Sequence, residues 1–393
     1  MINIHELTHK NKTAESIWAH FGPYYAMFPL SFAFSVVKKY SKEGDLVLDP
    51  FAGRFTSIYA GGVLNRKGIG IEINPVGWLF GQAKLHPAEK DNVIMRLDEV
   101  YRKRNYYKRK AENMPEFYHI CFCDEVLKFL LSARKNLDWR NNQVDATLMA
   151  FLLAYLHGKK GQSLSNQMRI TKSMGMDYSI AWWKKKGMEE PPLINPYDYI
   201  LGRINWRYRK GIPNVATNSV LLGDSTIELN KVSELFKEND EKVSLLFTSP
   251  PYCAITDYYA DQWLRLWLLG GSEKLVYSKE KYKGRFEKQN EYYELLDTVF
   301  SKCSKIMSDD AIICVRTDAR KFTLDTTIEV LKKNFPDYSI SKRVNRLKKD
   351  SMSQTVLYGN KSSKPAEVDI IMTRTPPREK QGNDYGDNFD KID

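Results

Sequence analysis

The sequence has 393 residues, a formal net charge of +12 and 42% hydrophobic residues, a composition typical of folded globular proteins. No apolar run is long enough to span a bilayer, and the polar N-terminus lacks an apolar secretory core. The sequence therefore predicts a cytoplasmic protein without membrane contact. The strong positive charge favours a polyanionic partner, with nucleic acid as the first candidate.

The cysteines predict neither a disulfide framework nor a metal site. Their number, five, is odd, and no two of them form a CxxC pair. We therefore expect reduced, mostly buried thiols and no bound metal. The cysteines are Cys121, Cys123, Cys253, Cys303 and Cys314.

Seven short apolar runs predict the strands of one sheet. In chain order they lie within residues 44–53, 67–75, 219–225, 243–252, 311–318, 337–344 and 366–375. Helix-like stretches alternate with these runs, which is the pattern of βαβ units. The predicted fold is therefore α/β, with a mostly parallel sheet.

The connection between the second and third runs is too long for an ordinary βα link. Residues 77–217 contain helix-like stretches such as DEVLKFLLSARKNL, so we predict a mainly helical insertion that would serve as a target-recognition region. Residues 1–76 and 218–375 would then form the catalytic domain. The tail 376–393, which is polar and rich in Gly, Asn and Asp, is predicted to be disordered.

Acidic residues end three consecutive predicted strands, at Asp49, Glu72 and Asp224. Each alone is more typical of a helix cap, but parallel strands end at one edge, where open α/β sheets bind ligands. The first turn is not GxGxxG, so a cofactor with ribose and adenine but no phosphate fits best, and S-adenosylmethionine (SAM) is that molecule. The predicted contacts are Asp49, Pro50, Phe51, Ala52, Gly53, Glu72, Ile73, Asp224 and Ser225.

Two short motifs carry a family resemblance. DPFAG (49–53) and TSPPY (248–252) resemble the DPFxGxGT and (D/N/S)PP(Y/F) motifs of the SAM-dependent DNA amino-methyltransferases. FGPYYAMFP (21–29) resembles the extra motif that packs over the methionine end of the cofactor, which implies contacts from Tyr24 and Phe28. The resemblance implies a Rossmann-like class I methyltransferase fold with a seven-stranded sheet, SAM as cofactor and double-stranded DNA as partner. One departure is Phe55, which stands where the family has its second glycine.

The TSPPY turn suits methyl transfer to an exocyclic base amine, whose lone pair conjugates with the ring. Ser249 and the Pro250 carbonyl would accept the amine's two protons, while Pro250 and Pro251 fix the backbone and remove competing donors. Tyr252 would stack on a flipped base. The alternative is a Pro-Pro turn with a packed tyrosine.

The target base is less constrained than the chemistry. In the family, serine at the first motif position leans toward cytosine N4, and adenine N6 stays open. Two further alternatives are methylation of an RNA amine and a nucleic-acid-binding protein without catalysis. A homodimer and a cognate restriction or defence partner also stay open.

Basic and aromatic residues interleave in two stretches of the insertion, WWKKK (182–186) and RINWRYRK (203–210). Basic side chains neutralise phosphates and aromatic rings stack on bases, so both stretches predict nucleic-acid contact. Two residues just beyond the catalytic turn are predicted to line the base pocket. The predicted nucleic-acid contacts are Lys184, Lys185, Arg203, Arg207, Arg209, Asp257 and Tyr258.

Overall fold

The computed structural model describes residues 4–8, 12–24, 27–253, 258–275, 288–345, 366–374 and 390–391. Asp257 and nearly all of the tail 376–393 lie outside these residues.

A single sheet forms the centre of the protein. Its main strands are β1 (Leu46–Asp49), β2 (Lys67–Glu72), β3 (Asn218–Leu222), β4 (Val243–Thr248), β5 (Met307–Asp318), β6 (Ser339–Asn345) and β7 (Glu367–Thr373). The two-residue strand β8 (Asp390–Lys391) pairs with β6 at one edge. All seven predicted strands are present. Strands β1, β4, β5 and β7 are largely buried runs, whereas β3 and β6 are only partly buried.

The strand order is β3-β2-β1-β4-β5-β7-β6-β8. Strands β1 to β5 pair in parallel, and β7 runs antiparallel to both β5 and β6. Strands β1 to β3 are added toward one edge of the sheet, and β4 and β5 toward the other. The strand order therefore switches between β1 and β4, which is where open α/β sheets place their ligand sites. The predicted Rossmann-like α/β fold with a mostly parallel sheet is confirmed, and β8 adds an eighth strand to the seven predicted.

Helices cover both faces of the sheet. They are α1 (Ile4–Thr8), α2 (Ala14–Ala19), α3 (Leu30–Tyr40), α4 (Thr56–Val63), α5 (Pro75–Leu85), α6 (Lys90–Arg102), α7 (Lys108–Glu112), α8 (Glu116–Cys121), α9 (Asp124–Asn136), α10 (Gln143–Tyr155), α11 (Met176–Lys185), α12 (Pro196–Tyr208), α13 (Ser225–Asn239), α14 (Tyr258–Asp261), α15 (Trp263–Leu268), α16 (Gln289–Ser304) and α17 (Lys321–Asn334). A 3₁₀ helix spans Lys103–Tyr107. None of the helices within the described ranges is long and apolar enough to cross a membrane.

Two hydrophobic cores flank the sheet, and alternate residues of each strand enter opposite cores. Val47 and Phe247 contribute to the core under α2 to α5, whereas Leu48 and Leu246 contribute to the core under α13, α16 and α17. This period of two is the geometry of a strand buried on both faces.

The long connection between β2 and β3, all of it described, contains α5 to α12 and no strand. Its helices do not form a separate core. Leu148 and Leu152 of α10 belong to the same buried cluster as Phe80 of α5 and Trp18 of α2. The insertion is thus packed against the sheet's own helices.

The five thiols are all buried and free, as the cysteine pattern predicts. Across the described part of the chain, no group of three or more His, Cys, Asp or Glu side chains is placed to hold a metal ion.

Candidate cofactor and catalytic site

The DPFAG and TSPPY turns lie side by side because β1 and β4 are neighbours in the sheet. The Asp49 carboxylate, 1% exposed, accepts hydrogen bonds from the Thr248 hydroxyl at 2.6 Å, from the Phe51 amide at 3.1 Å and from the Ser57 hydroxyl. Burial raises the pKa of Asp49 to about 6, and these hydrogen bonds limit the rise. One carboxylate therefore joins the predicted cofactor turn to the strand end that carries the catalytic turn.

Glu72, at the end of β2, supports the same turn from the other side. Its two carboxylate oxygens accept the amides of Gly53 and Asn74, each at 2.8 Å. Desolvation raises the pKa of Glu72 to about 8, although the side chain is partly exposed. Each oxygen keeps a second lone pair, so the carboxylate can accept two ribose hydroxyls.

Phe55, at the position of the second motif glycine, adopts a backbone conformation that favours glycine. It adopts the left-handed conformation, with φ 61° and ψ 38°. Its ring is fully buried and fills the space left by two glycines, Gly70 and Gly81. A Cβ atom on either glycine would stand 2.5 Å or 2.2 Å from that ring. The bulk of the Phe55 side chain, which departs from the family motif, is thus accommodated by the two glycines beneath its ring.

The third strand-terminal acid, Asp224, acts as a helix cap. Its carboxylate accepts the amide of Thr226 at 2.9 Å and the Thr226 hydroxyl at 2.7 Å, at the start of α13. The adjacent Ser225 is buried and donates its hydroxyl to the Pro50 carbonyl. The end of β3 is therefore tied directly to the DPFAG turn.

The segment before α3 packs against the turns. The Tyr24 ring is 2% exposed and lies over Gly53, where an added Cβ would stand 3.8 Å from its Cε1. Phe28 stacks on Phe247 of β4, with ring centroids 4.6 Å apart. The buried Arg54 donates to the Gly22 carbonyl at 3.0 Å and holds this segment in place.

The TSPPY turn, the predicted catalytic turn, leaves the sheet immediately after β4. Pro250 is buried, whereas Ser249, Pro251 and Tyr252 are partly exposed. The turn therefore presents its serine and tyrosine at the carboxyl edge, beside the Asp49–Thr248 contact.

Helices α14 and α15 follow the catalytic turn and are fastened to residues 170–174 of the insertion. The contacts are Lys172 to Asp261 at 2.7 Å, the Ser173 amide to the Asp261 carbonyl at 2.7 Å, Gln262 to the Thr171 carbonyl at 2.9 Å, Trp263 to the Met174 carbonyl at 3.0 Å and Arg265 to the Ile170 carbonyl at 2.7 Å. The sequence offered no signal for these contacts, since they join segments far apart in the chain. Of the two residues predicted to line the base pocket, Tyr258 begins α14 and Asp257 lies outside the described residues.

The basic residues of the insertion that were predicted to contact nucleic acid differ in their exposure to solvent. Lys184, Lys185 and Arg209 are exposed, and Lys184 pairs with Glu116 at 2.8 Å. Arg209 lies over the Trp206 ring, 4.1 Å from its centroid. Arg203 is partly buried and donates to the Tyr199 hydroxyl at 3.1 Å.

Arg207 requires a correction. It is 6% exposed, and its guanidinium donates to the Ile17 carbonyl of α2. The prediction that it contacts nucleic acid is wrong, because the side chain faces the protein core on the inner side of α12. Helical periodicity separates it from its exposed neighbour Arg209.

The joined DPFAG and TSPPY turns lie at the carboxyl edge of a mostly parallel α/β sheet. Residues 2–76 match the DNA methylase family model for N6 and N4 methyltransferases. The chain is 24% identical over 307 residues to the Type II methyltransferase M.BsoBI of Geobacillus stearothermophilus, a match covering 69% of this chain and 58% of the relative. It is 26% identical over 220 residues to the Type II methyltransferase M.MvaI of Kocuria varians, covering 52% of this chain and 45% of the relative.

These matches confirm the predicted resemblance to the DNA amino-methyltransferases. The chain spans about half the length of the two relatives. Among solved structures, the rRNA methyltransferase aviRa from Streptomyces viridochromogenes aligns over 95% of this chain and 94% of its own, with a TM-score of 0.34 and 9% identity.

Proposed function

We propose that this protein transfers a methyl group from SAM to an exocyclic amine of a base in double-stranded DNA. The observation that carries the proposal is the hydrogen bond from Thr248 to Asp49, at 2.6 Å, which joins the DPFAG turn to the strand that delivers TSPPY. Methyl transfer needs the cofactor and the acceptor amine at adjoining positions, and two joined turns provide such positions.

The residues at and around the DPFAG turn have the sizes and hydrogen-bonding groups that SAM binding needs. Gly53 and Ala52 allow close approach, Glu72 has free acceptor capacity for ribose hydroxyls, and the Tyr24 ring covers the turn. Ile73, which is 42% exposed, and Asp224 are proposed to contribute apolar and polar contacts to the adenosine end. When bound, SAM supplies an electrophilic methyl group on a sulfonium.

The second turn would prepare the amine. Ser249 and the Pro250 carbonyl accept its protons, so that the nitrogen lone pair is directed at the methyl group. Pro250 and Pro251 keep the backbone rigid, and Tyr252 stacks on the flipped base. Orientation of the amine is therefore the main contribution of this turn.

Cytosine N4 is the proposed target because Ser249 occupies the first position of the motif. Adenine N6 is the second candidate. Methylation of an RNA amine is a third. A binding-only role, which rested on Phe55, is a fourth candidate; the left-handed backbone of Phe55 is one that glycine also adopts, and this favours an active enzyme.

The proposed DNA contacts are the exposed cations Lys184, Lys185 and Arg209, with Arg203 behind them. Trp206, which is 39% exposed beside Arg209, adds a ring that can stack on a base. Residues 77–217 would therefore read the target sequence. On the likeness to Type II methyltransferases, we also propose a cytoplasmic location and, as partners, a cognate restriction or defence protein and a second copy of this chain.

The test is nucleoside mass spectrometry. The purified protein is incubated with SAM and, separately, with unmethylated genomic DNA and bulk RNA, and each sample is digested. We expect N4-methylcytosine in the DNA, and none with the Tyr252→Ala variant. N6-methyladenine would move the target to adenine, product in RNA alone would replace DNA as the substrate, and no product with either would reject the proposed activity.

A further inference from the structure

An arginine beyond the end of β5 lies against the TSPPY turn. Strand β5 is the neighbour of β4 and ends at Asp318, and Arg320 follows two residues later, just before α17. Asp318 is 2% exposed and accepts the Arg320 Nε at 2.8 Å and the Arg320 amide at 3.1 Å. A buried carboxylate thus fixes the guanidinium.

The same guanidinium reaches the turn itself. The Nη2 of Arg320 donates to the Cys253 carbonyl at 2.7 Å, and Cys253 directly follows the proposed stacking residue Tyr252. That Nη2 also lies 2.8 Å from Asp318 Oδ2. A planar, multi-donor guanidinium can bridge two acceptors in this way, whereas a lysine ammonium acts as a single point charge on a flexible stem.

We propose that Arg320 is a positioning residue that fixes the TSPPYC turn by bridging Asp318 and the Cys253 carbonyl. The inference rests on the proposed methyl transfer, and it deepens the role of that site. The bridge anchors the turn at its distal end, while the paired strand β4 anchors its start. Tyr252 lies between the two anchors, so its placement depends on both.

Loss of this bridge is expected to affect turnover more than cofactor affinity. Misplacement of a reacting or positioning group by about 1 Å can lower the rate about 10²-fold. Arg320 lies on the β5 side of β4, whereas the proposed SAM contacts Asp49 and Glu72 end β1 and β2 on the other side of β4.

The experiment compares Arg320→Ala, Arg320→Lys and the control Lys321→Ala. Lys321 is the adjacent cation, but its side chain is 92% exposed and pairs with Asp325. We expect Arg320→Ala to lower kcat at least tenfold while the Kd for SAM stays within twofold. We expect Arg320→Lys to recover part of kcat, and Lys321→Ala to match the wild type.

A second readout does not depend on catalysis. Cys253 is 6% exposed, and the rate of its alkylation, followed by peptide mass spectrometry, reports release of the turn. Burial raises the pKa of this thiol, and Arg320 lowers it, so loss of Arg320 alone would slow alkylation. Faster alkylation in Arg320→Ala, which we expect, therefore reflects greater access.

The outcomes separate the two proposals. Unchanged Cys253 alkylation in the Arg320 variants, or an unchanged kcat, overturns the positioning role. A wild-type protein that methylates neither DNA nor RNA overturns the proposed function and leaves the alkylation test valid. Should Arg320→Ala fail to fold, Arg320→Lys decides, because it retains a charge beside Asp318 and is expected to alkylate faster than the wild type.

Discussion

At the scale of single residues, Phe55 shows how a side chain can occupy a backbone conformation that favours glycine. A left-handed conformation costs a non-glycine residue about 1–2 kcal/mol. The Phe55 ring offsets this by filling the space over Gly70 and Gly81. The substitution was visible in the sequence as a departure from the motif, but the two glycines that accommodate it are distant in the chain and carried no local signal.

Replacing Phe55 by glycine is therefore expected to destabilise the protein. Relief of the backbone cost recovers about 1–2 kcal/mol, but removing a buried phenylalanine costs about 3–5 kcal/mol. We expect the free energy of unfolding to fall by about 2 kcal/mol in chemical denaturation. The matched control is Asn65→Gly, since Asn65 is exposed and also left-handed, with φ 61°.

Asparagine tolerates the left-handed region better than phenylalanine does, so that control should leave the free energy of unfolding unchanged or raise it by less than about 1 kcal/mol. If Phe55→Gly were as stable as the control, the ring would not be a packing element of the turn.

Glu72 predicts a pH dependence of adenosine binding. Its pKa is raised to about 8, so the free carboxyl is largely protonated at pH 7 and ionised at pH 9. Ribose hydroxyls donate more strongly to the ionised form than to the protonated one, so the affinity for 5′-methylthioadenosine should rise between pH 7 and pH 9 and then level off. This ligand has no titrating α-amino group, and calorimetry measures its Kd.

The Glu72→Gln variant serves as the control, because its side chain does not titrate. We expect its Kd to be weaker and independent of pH over the same range. A wild-type Kd that is equally independent of pH would remove Glu72 from the ribose site.

At the scale of elements, the strands could be predicted from the sequence, whereas the tertiary contacts between distant segments could not. Buried strands such as Val243–Thr248 appear in a sequence as uninterrupted apolar runs bounded by turns. The bonds between residues 170–174 and α14–α15 arise from tertiary proximity alone, and such contacts leave no periodic pattern. The sequence identified the positions of the three strand-terminal acids. It did not show that Asp224 is the one that caps a helix.

Arg265 of α15 is the central member of this join. It is fully buried and donates to the carbonyls of Leu153 and Ile170 and to the Gln262 side chain, at 2.9, 2.7 and 2.6 Å. Arg265→Met would leave buried acceptors without donors, and each unsatisfied acceptor costs about 1–3 kcal/mol of stability. We expect a lower free energy of unfolding, by at least about 2 kcal/mol, and faster proteolysis within residues 157–174.

Arg169→Met is the matched control, because Arg169 is an exposed arginine of the same segment. Its variant should unfold and be cleaved like the wild type. Equal stability of the Arg265 and Arg169 variants would contradict the view that the guanidinium holds the insertion to the segment after the catalytic turn.

At the scale of the whole molecule, the net charge of +12 indicated a polyanionic partner but not which cations face it. Arg207 and Arg209 are two residues apart in one basic stretch, yet only Arg209 is exposed. Their positions in the sequence do not distinguish them, because the orientation of α12 depends on its packing against α2. Burial therefore separates a proposed phosphate contact from a core residue.

The pair gives a direct comparison. Arg209→Ala should weaken DNA binding and reduce the slope of log K against log salt by about 1, with stability unchanged. Arg207→Ala should instead lower the melting temperature, because it removes a buried donor from the Ile17 carbonyl. Fluorescence anisotropy over a salt series, with thermal melts of each variant, distinguishes the two. An Arg209 variant that binds DNA like the wild type would move the proposed interface elsewhere.

The contact between Thr248 and Asp49 joins the two turns, and it can be removed with little change of shape. Thr248→Val deletes the hydroxyl, whose hydrogen bond lowers the pKa of Asp49, whereas Thr248→Ser keeps it. The decisive measurement is the single-turnover rate of methyl transfer to DNA at pH 7.5 for both variants beside the wild type. We expect at least a tenfold loss in Thr248→Val and near-normal transfer in Thr248→Ser. Equal rates for Thr248→Val and the wild type would contradict the claim that the joined turns form the site of methyl transfer.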